Sequence, residues 1–185
     1  MNPVPSYLLV SDFNFSQLTP NVLLNALESL EIIVDSGLLA LNSYENRVYQ
    51  FTSREHGRLV AKFYRPNRWS SLQIQEEHQF SIDLQDDELP IVAPMTIQGR
   101  TLHEYNGYRF AIFPSIGGRQ FEVDNIDQLE WMGRLIGRIH KCSSLDTFDH
   151  RQAISHQSHL LTPRIRLEGS SLVPDHLKTP FEKAF

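Results

Sequence analysis

The 185-residue sequence predicts an α+β fold: a five-stranded antiparallel sheet with one helix, followed by the start of a mostly helical region. Three observations predict it. Short strand-like runs recur at 38–44, 46–52 and 58–64, set off by turn signals. A further hairpin is written into "TLHEYNGYRFAIFPSI", where Asn106-Gly107 is a strong two-residue turn. Beyond residue 124 the period becomes helical, in "DNIDQLEWMGRLIGRIHK".

Residues 1–17 read as a loose lead-in. "TPNVLLNALESL" then opens a helix, with Thr19 as N-cap and Pro20 in the first helical position. "VDSG" at 34–37 is a turn, and three strands follow. "SREHG" joins the second to the third. "WSSLQIQEEHQFSIDLQ" is the helix beside the sheet, capped by Ser70 or Ser71. "ELPIVAP" ends it and leads to another strand, the Asn106-Gly107 hairpin follows, and "GGRQ" closes the sheet. In the next helix Asp124 is the expected cap, and Ile126, Leu129, Gly133, Ile136 and His140 form one stripe. His140 reads as a packed core histidine, and Gly133 and Gly137 as close-packing positions. Residues 142–185 are less regular until "DHLKTPFEKAF", where Leu177, Phe181 and Phe185 keep a helical spacing to the last residue, as if the chain were cut short.

Composition excludes several functions. The formal net charge is -5 and no basic block offsets it, which argues against a general nucleic-acid binder. The single cysteine, Cys142, excludes an internal disulfide framework and a cysteine-based zinc site, and reads as a core thiol. The N-terminus lacks the pattern of a signal peptide and no apolar run could span a membrane, so a cytoplasmic protein without membrane contact is expected. His150, His156 and His159 cluster in an expected loop, but no acidic or cysteine pattern completes a metal site. Trp69 and Trp131 read as packing residues, and Arg65 and Arg68 as solvated surface groups.

The third strand poses the functional question. "GRLVAKFYRP" places Lys62 among apolar residues, where an ammonium is costly unless paired. A five-stranded sheet with such a lysine and a following helix matches the small lobe of a protein-kinase-like fold. A nucleoside triphosphate carries about four negative charges and needs N–H donors and a cation. The first hairpin would supply donors and Lys62 the cation. Glu77 lies 15 residues beyond Lys62, on a helical stripe with Ile74, Ser81 and Leu84, and would hold the lysine; Glu76 is the alternative. Val60 and Val48 would roof an adenine ring. Against this stands a lysine that snorkels from a sheet edge while the glutamates solvate a surface. The hairpin "LNSYENRVYQF" has no glycine, so neither a glycine-rich kinase loop nor a P-loop is present. Ser43 and Asn46 at its tip either donate to phosphate or simply form the turn.

"VDSGLLALNSYENRVYQF", "KFYRPNRWS", "EEHQF", "FPSIGGRQFEVDNIDQ" and "GRLIGRIH" closely resemble bacterial stress-response serine/threonine kinases of the aminoglycoside phosphotransferase / choline kinase superfamily. The resemblance runs from about residue 16 to the end. The superfamily's looser pattern, asparagine and then an aromatic on the second strand, matches Asn46 and Tyr49. The resemblance implies a bilobal kinase, ATP and Mg²⁺, protein substrates bearing serine or threonine, autophosphorylation and a monomer. It implies that Ser43 lies against ATP, that Lys62 and Glu77 pair, and that Phe113, Ser115 and Ile116 in "FPSI" form the hinge to the adenine edge. It also implies a small lobe over 18–114, a connector over 115–123 and the beginning of a large lobe over 124–185. Gly117-Gly118 would loosen the connector.

One departure matters. The superfamily's His-Gly-Asp-x-His-x-x-x-Asn motif and its later acidic metal ligand are missing, and "DLQDDE" at 83–88 lies in the wrong lobe. The sequence is therefore expected to carry about the first half of such a kinase. The catalytic base and metal ligands would lie beyond Phe185, and these residues alone would be inactive. The readings left beside it are a small-molecule kinase of the choline, homoserine or aminoglycoside type, or a non-catalytic nucleotide-binding or interaction module if Phe185 is the natural end.

Overall fold

The fold is seen in a computed structural model that describes residues 14–144 and 147–184. These residues form two compact units that divide after Thr147.

In the first unit, α1 (Pro20–Glu28) starts where expected, with the Thr19 side chain accepting from the Val22 N–H. The strands are β1 (Leu39–Leu41), β2 (Arg47–Ser53), β3 (Gly57–Phe63), β4 (His103–Tyr105) and β5 (Tyr108–Pro114). They form one antiparallel sheet in the order β1-β2-β3-β5-β4, so β3 is central. Two residues at left-handed φ, Asn106 at 48° and Gly107 at 79°, make the β4–β5 turn, as a two-residue hairpin requires. Among the described residues, the strand expected straight after "ELPIVAP" does not form before β4; the chain there makes only a backbone bond to the sheet, the Met95 N–H donating to Ile112 O.

Alternation along β3 separates the two faces of the sheet. Leu59, Ala61 and Phe63 are buried with Phe51, Tyr108, Phe110 and Ile112. Leu23, Ala26 and Leu27 of α1 complete that core. Phe63 and Phe110 stack with centroids 4.9 Å apart at its centre. Val60 and Lys62 point the other way and are half-buried. Helix α2 (Ser71–Asp86) lies on that side and buries Ile74 with Tyr64 and Ala111. Ser70 is its cap, in a reciprocal capping box with Gln73.

The N-terminal lead-in was expected to be loose; residues 1–13 lie outside the described residues. Residues 14–17 are anchored: the Tyr108 hydroxyl donates to Asn14 O at 2.6 Å, and Phe15 stacks on Tyr108.

Helix α3 (Ile126–Ser143) departs from expectation in several ways. Its cap is Asn125 rather than Asp124, because the Asn125 side chain accepts from the Gln128 N–H. It buries none of its residues. His140 is exposed rather than packed in a core, and a Cβ added at Gly133 or Gly137 would meet nothing within 4 Å. Trp131 is likewise exposed rather than packed. Cys142 is not a core thiol: it is half-exposed and donates to Asp87 Oδ2 at 2.9 Å. Arg138 reaches the same place, donating to the carbonyls of Asp87 and Glu88, so a cation caps the C-terminal end of α2.

The second unit is more helical than expected. A π-helical turn over Gln157–Leu161 runs into α4 (Thr162–Glu168), and α5 (Asp175–Ala184) follows. His159 therefore sits in a helical turn, with Nδ1 2.7 Å from Ser158 Oγ, rather than in a loop. Phe185, the last of the expected stripe, lies outside the described residues.

Candidate functional site

Central β3 brings Lys62 into the middle of the sheet face covered by α2, which excludes an edge-strand lysine. Its Nζ lies 3.2 Å from Glu77 Oε1. The choice between Glu76 and Glu77 is thereby decided at the level of geometry. Both side chains remain partly exposed, at 24% and 34%, so the pair contributes only about 0–1 kcal/mol to stability. That small gain comes against the entropy of ordering two long side chains. The pair is better understood as orientation than as stabilisation.

Two aromatic rings complete the seat. Lys62 Nζ lies 4.7 Å from the centroid of Tyr64 and 5.9 Å from that of Phe113, within cation–π range. Tyr64 was not singled out in the sequence. The strand alternation that placed Val60 beside Lys62 runs one step further to reach it, and that was the available signal.

The apolar candidates share this face. Val48 is directly opposite Lys62 in the β2–β3 register, and Val60 is opposite Gln50 on one side and Phe113 on the other. Ala111 stands across from Lys62 on β5. Small and branched side chains thus form a flat apolar strip next to one ammonium.

The hairpin tip is fastened to the segment between β3 and α2. Glu45 accepts from Trp69 Nε1 at 2.8 Å and from Arg68 Nε at 3.4 Å. Asn46 Oδ1 accepts from the Arg65 N–H at 3.1 Å. Ser43 Oγ accepts from the Asn46 N–H at 3.3 Å. Arg68 is thus a paired residue rather than a merely solvated one, and it also stacks on Trp69. Ser43 and Asn46 use their acceptor sides to shape the turn. A hydroxyl and an amide NH₂ are still available as donors to an anion.

At the far end of β5, the Ser115 N–H donates to Arg58 O, and Ser115 Oγ accepts from Gln50 Nε2 at 2.7 Å. Pro114 has no N–H. Of the backbone N–H donors in 114–116, the one with no protein acceptor among the described residues is that of exposed Ile116.

The sequence model of the family described as "Phosphotransferase enzyme family" matches residues 38–181, most of the chain. The chain belongs to this family. Stress response kinase A of Shigella flexneri is 51% identical over 174 residues, which cover 94% of this chain and 53% of that protein. Stress response kinase A of Escherichia coli K12 is 50% identical, with the same coverage. Serine/threonine protein kinase RdoA of Salmonella typhimurium is 50% identical over 93% of this chain and 52% of its own. The chain therefore spans about half the length of the curated relatives it matches. Among solved structures, the amicoumacin kinase hAmiN, in complex with AMP-PNP, Ca²⁺ and Ami, superposes with a TM-score of 0.62 at 16% identity. That match covers 77% of this chain and 46% of the other. A microcompartment-associated aminopropanol kinase gives 0.62 at 22% identity over 78% and 48%. These two likenesses concern the fold, an α+β kinase-like architecture.

Proposed function

We propose that this chain is the nucleotide-binding part of an ATP-dependent serine/threonine protein kinase of the stress response. The observation that carries the reading is the seat of Lys62. A lysine on the central strand, paired with Glu77 and flanked by two rings, stands across from Val48 on the strand that the first hairpin enters.

In this reading Val48 and Val60 cover the adenine from above. Phe113, Ser115 and Ile116 line the adenine edge, with the Ile116 N–H as hinge donor. Lys62 neutralises phosphate oxygens, and Glu77 fixes the ammonium so that little reorganisation is needed when phosphate arrives. Ser43 and Asn46 donate to the phosphates. Residues 18–114 act as small lobe, 115–123 as connector and 124–185 as the opening of the large lobe. The name of the Salmonella relative, a serine/threonine protein kinase, favours protein acceptors over small alcohols. A monomeric cytoplasmic enzyme is the accompanying reading; no helix among the described residues is long and apolar enough to cross a membrane.

Magnesium is implied for the whole reaction. Among the described residues no three His, Cys, Asp or Glu side chains converge to hold a metal ion. No residue here is assigned to the metal, and no step is routed through it. The general base and metal ligands are placed outside these 185 residues.

Phosphoryl transfer to a protein acceptor tests this. A full-length protein should label a serine- or threonine-containing substrate, and its Lys62→Met variant should not. The 185 residues alone should show no turnover; turnover by them would overturn the assignment of the base.

A further inference from the structure

Behind the Lys62 seat lies a buried polar chain that the nucleotide reading does not use. His78 is 2% exposed and Tyr64 3%. The Tyr64 hydroxyl and His78 Nε2 are 2.6 Å apart, and His78 Nδ1 and Thr101 Oγ1 are 2.9 Å apart. A neutral imidazole with its proton on either nitrogen satisfies both contacts. The same imidazole meets the Phe113 ring edge-on, with centroids 6.3 Å apart.

His78 therefore touches both rings that flank Lys62, and it follows Glu77 directly on α2. From one turn of this helix, two neighbouring residues reach the ammonium's surroundings. Glu77 meets Nζ directly, and His78 holds the Tyr64 and Phe113 rings. Burying an imidazole and a phenol together needs satisfied hydrogen bonds, which apolar residues filling the same volume would not. What such a network adds is a single geometry.

We propose that His78 is a positioning residue for Lys62, fixing the two aromatic walls of the ammonium's seat through its bond to Tyr64 and its edge contact with Phe113. The proposal rests on the reading of Lys62 as the phosphate-binding cation. It predicts that His78 governs the phosphate share of nucleotide affinity more than the adenine share, which it reaches only through the Phe113 contact.

The test is equilibrium titration of the full-length protein with ATP and with adenosine. His78→Ala should weaken ATP binding about tenfold, the size expected for one lost charge-linked contact, and adenosine by no more than about twofold through the Phe113 contact. Tyr64→Phe, which removes a single oxygen, should weaken ATP about threefold by the same route. His78→Gln, with both a donor and an acceptor, should recover part of the loss. In a Lys62→Met background His78→Ala should add no more than the small loss it causes for adenosine. Equal losses for ATP and adenosine, or additivity with Lys62→Met, would show a purely structural histidine and overturn the proposal. If His78→Ala does not fold, Tyr64→Phe decides alone: unchanged ATP affinity there would reject it. ATP binding undiminished by Lys62→Met itself would instead sink the nucleotide reading, and this proposal with it.

Discussion

The two faces of β3 differ in what they are built for. Leu59, Ala61 and Phe63 are sealed against α1 and the neighbouring strands, each at most 1% exposed. Val60 and Lys62, interleaved with them, stay half-open, and Lys62 is held by a weakly stabilising ion pair and two rings. One face supplies cohesion, and the other presents a prepared charge. A strand separates the two tasks because its side-chain period is two, so neighbours in sequence can be changed independently.

The largest break in that contrast should come from the sealed face. Phe63→Ala removes a ring stacked on Phe110 and should cost about 3–5 kcal/mol in chemical unfolding, enough to threaten a domain of ordinary stability. A smaller effect is expected from His103, which pairs with Phe110 across β4 and β5 and whose buried Nε2 has no partner among the described residues. Burial, with the charge of Arg100, holds its imidazole below the usual 6.5. The folded protein then binds fewer protons than the unfolded chain as pH falls below 6.5, so stability declines in that window. His103→Gln should flatten the decline; an unchanged slope would contradict the assignment. The smallest effect lies away from both faces. The Asp87 carboxylate accepting from the Cys142 thiol pushes its pKa up, so alkylation at pH 8 should be slow. Asp87→Asn should speed alkylation and leave both faces unaltered, as read by unfolding and nucleotide titration.

Much of the sheet and of α2 was legible because local chemistry decides it. Asn106-Gly107 dictates its turn, Ser70 its cap, and the alternation through "RLVAKFY" its two faces. Helical spacing offered Glu77 as the partner of Lys62 but left Glu76 and a snorkelling lysine open, and the family resemblance favoured Glu77. The Nζ–Oε1 separation of 3.2 Å agrees with that choice. What was not legible depends on partners distant in sequence. The stripe of α3 says which side is apolar and nothing of what covers it, so His140, Gly133 and Trp131 were misplaced. The turn at 157–161 and α4 have no side-chain cap at their N-terminal ends, so the usual start signal was absent. The clamp of Glu45 on Trp69, and Arg138 on the end of α2, span 24 and 51 residues and leave no periodic trace.

The central claim is that the open face of β3 binds nucleotide phosphate through Lys62 while the sealed face carries stability. Unfolding and ATP titration of Lys62→Met in the full-length protein test both halves at once. The account predicts stability within about 1 kcal/mol of wild type, with ATP affinity at least tenfold weaker. Unchanged ATP affinity, or a loss of stability comparable to that of Phe63→Ala, would contradict it.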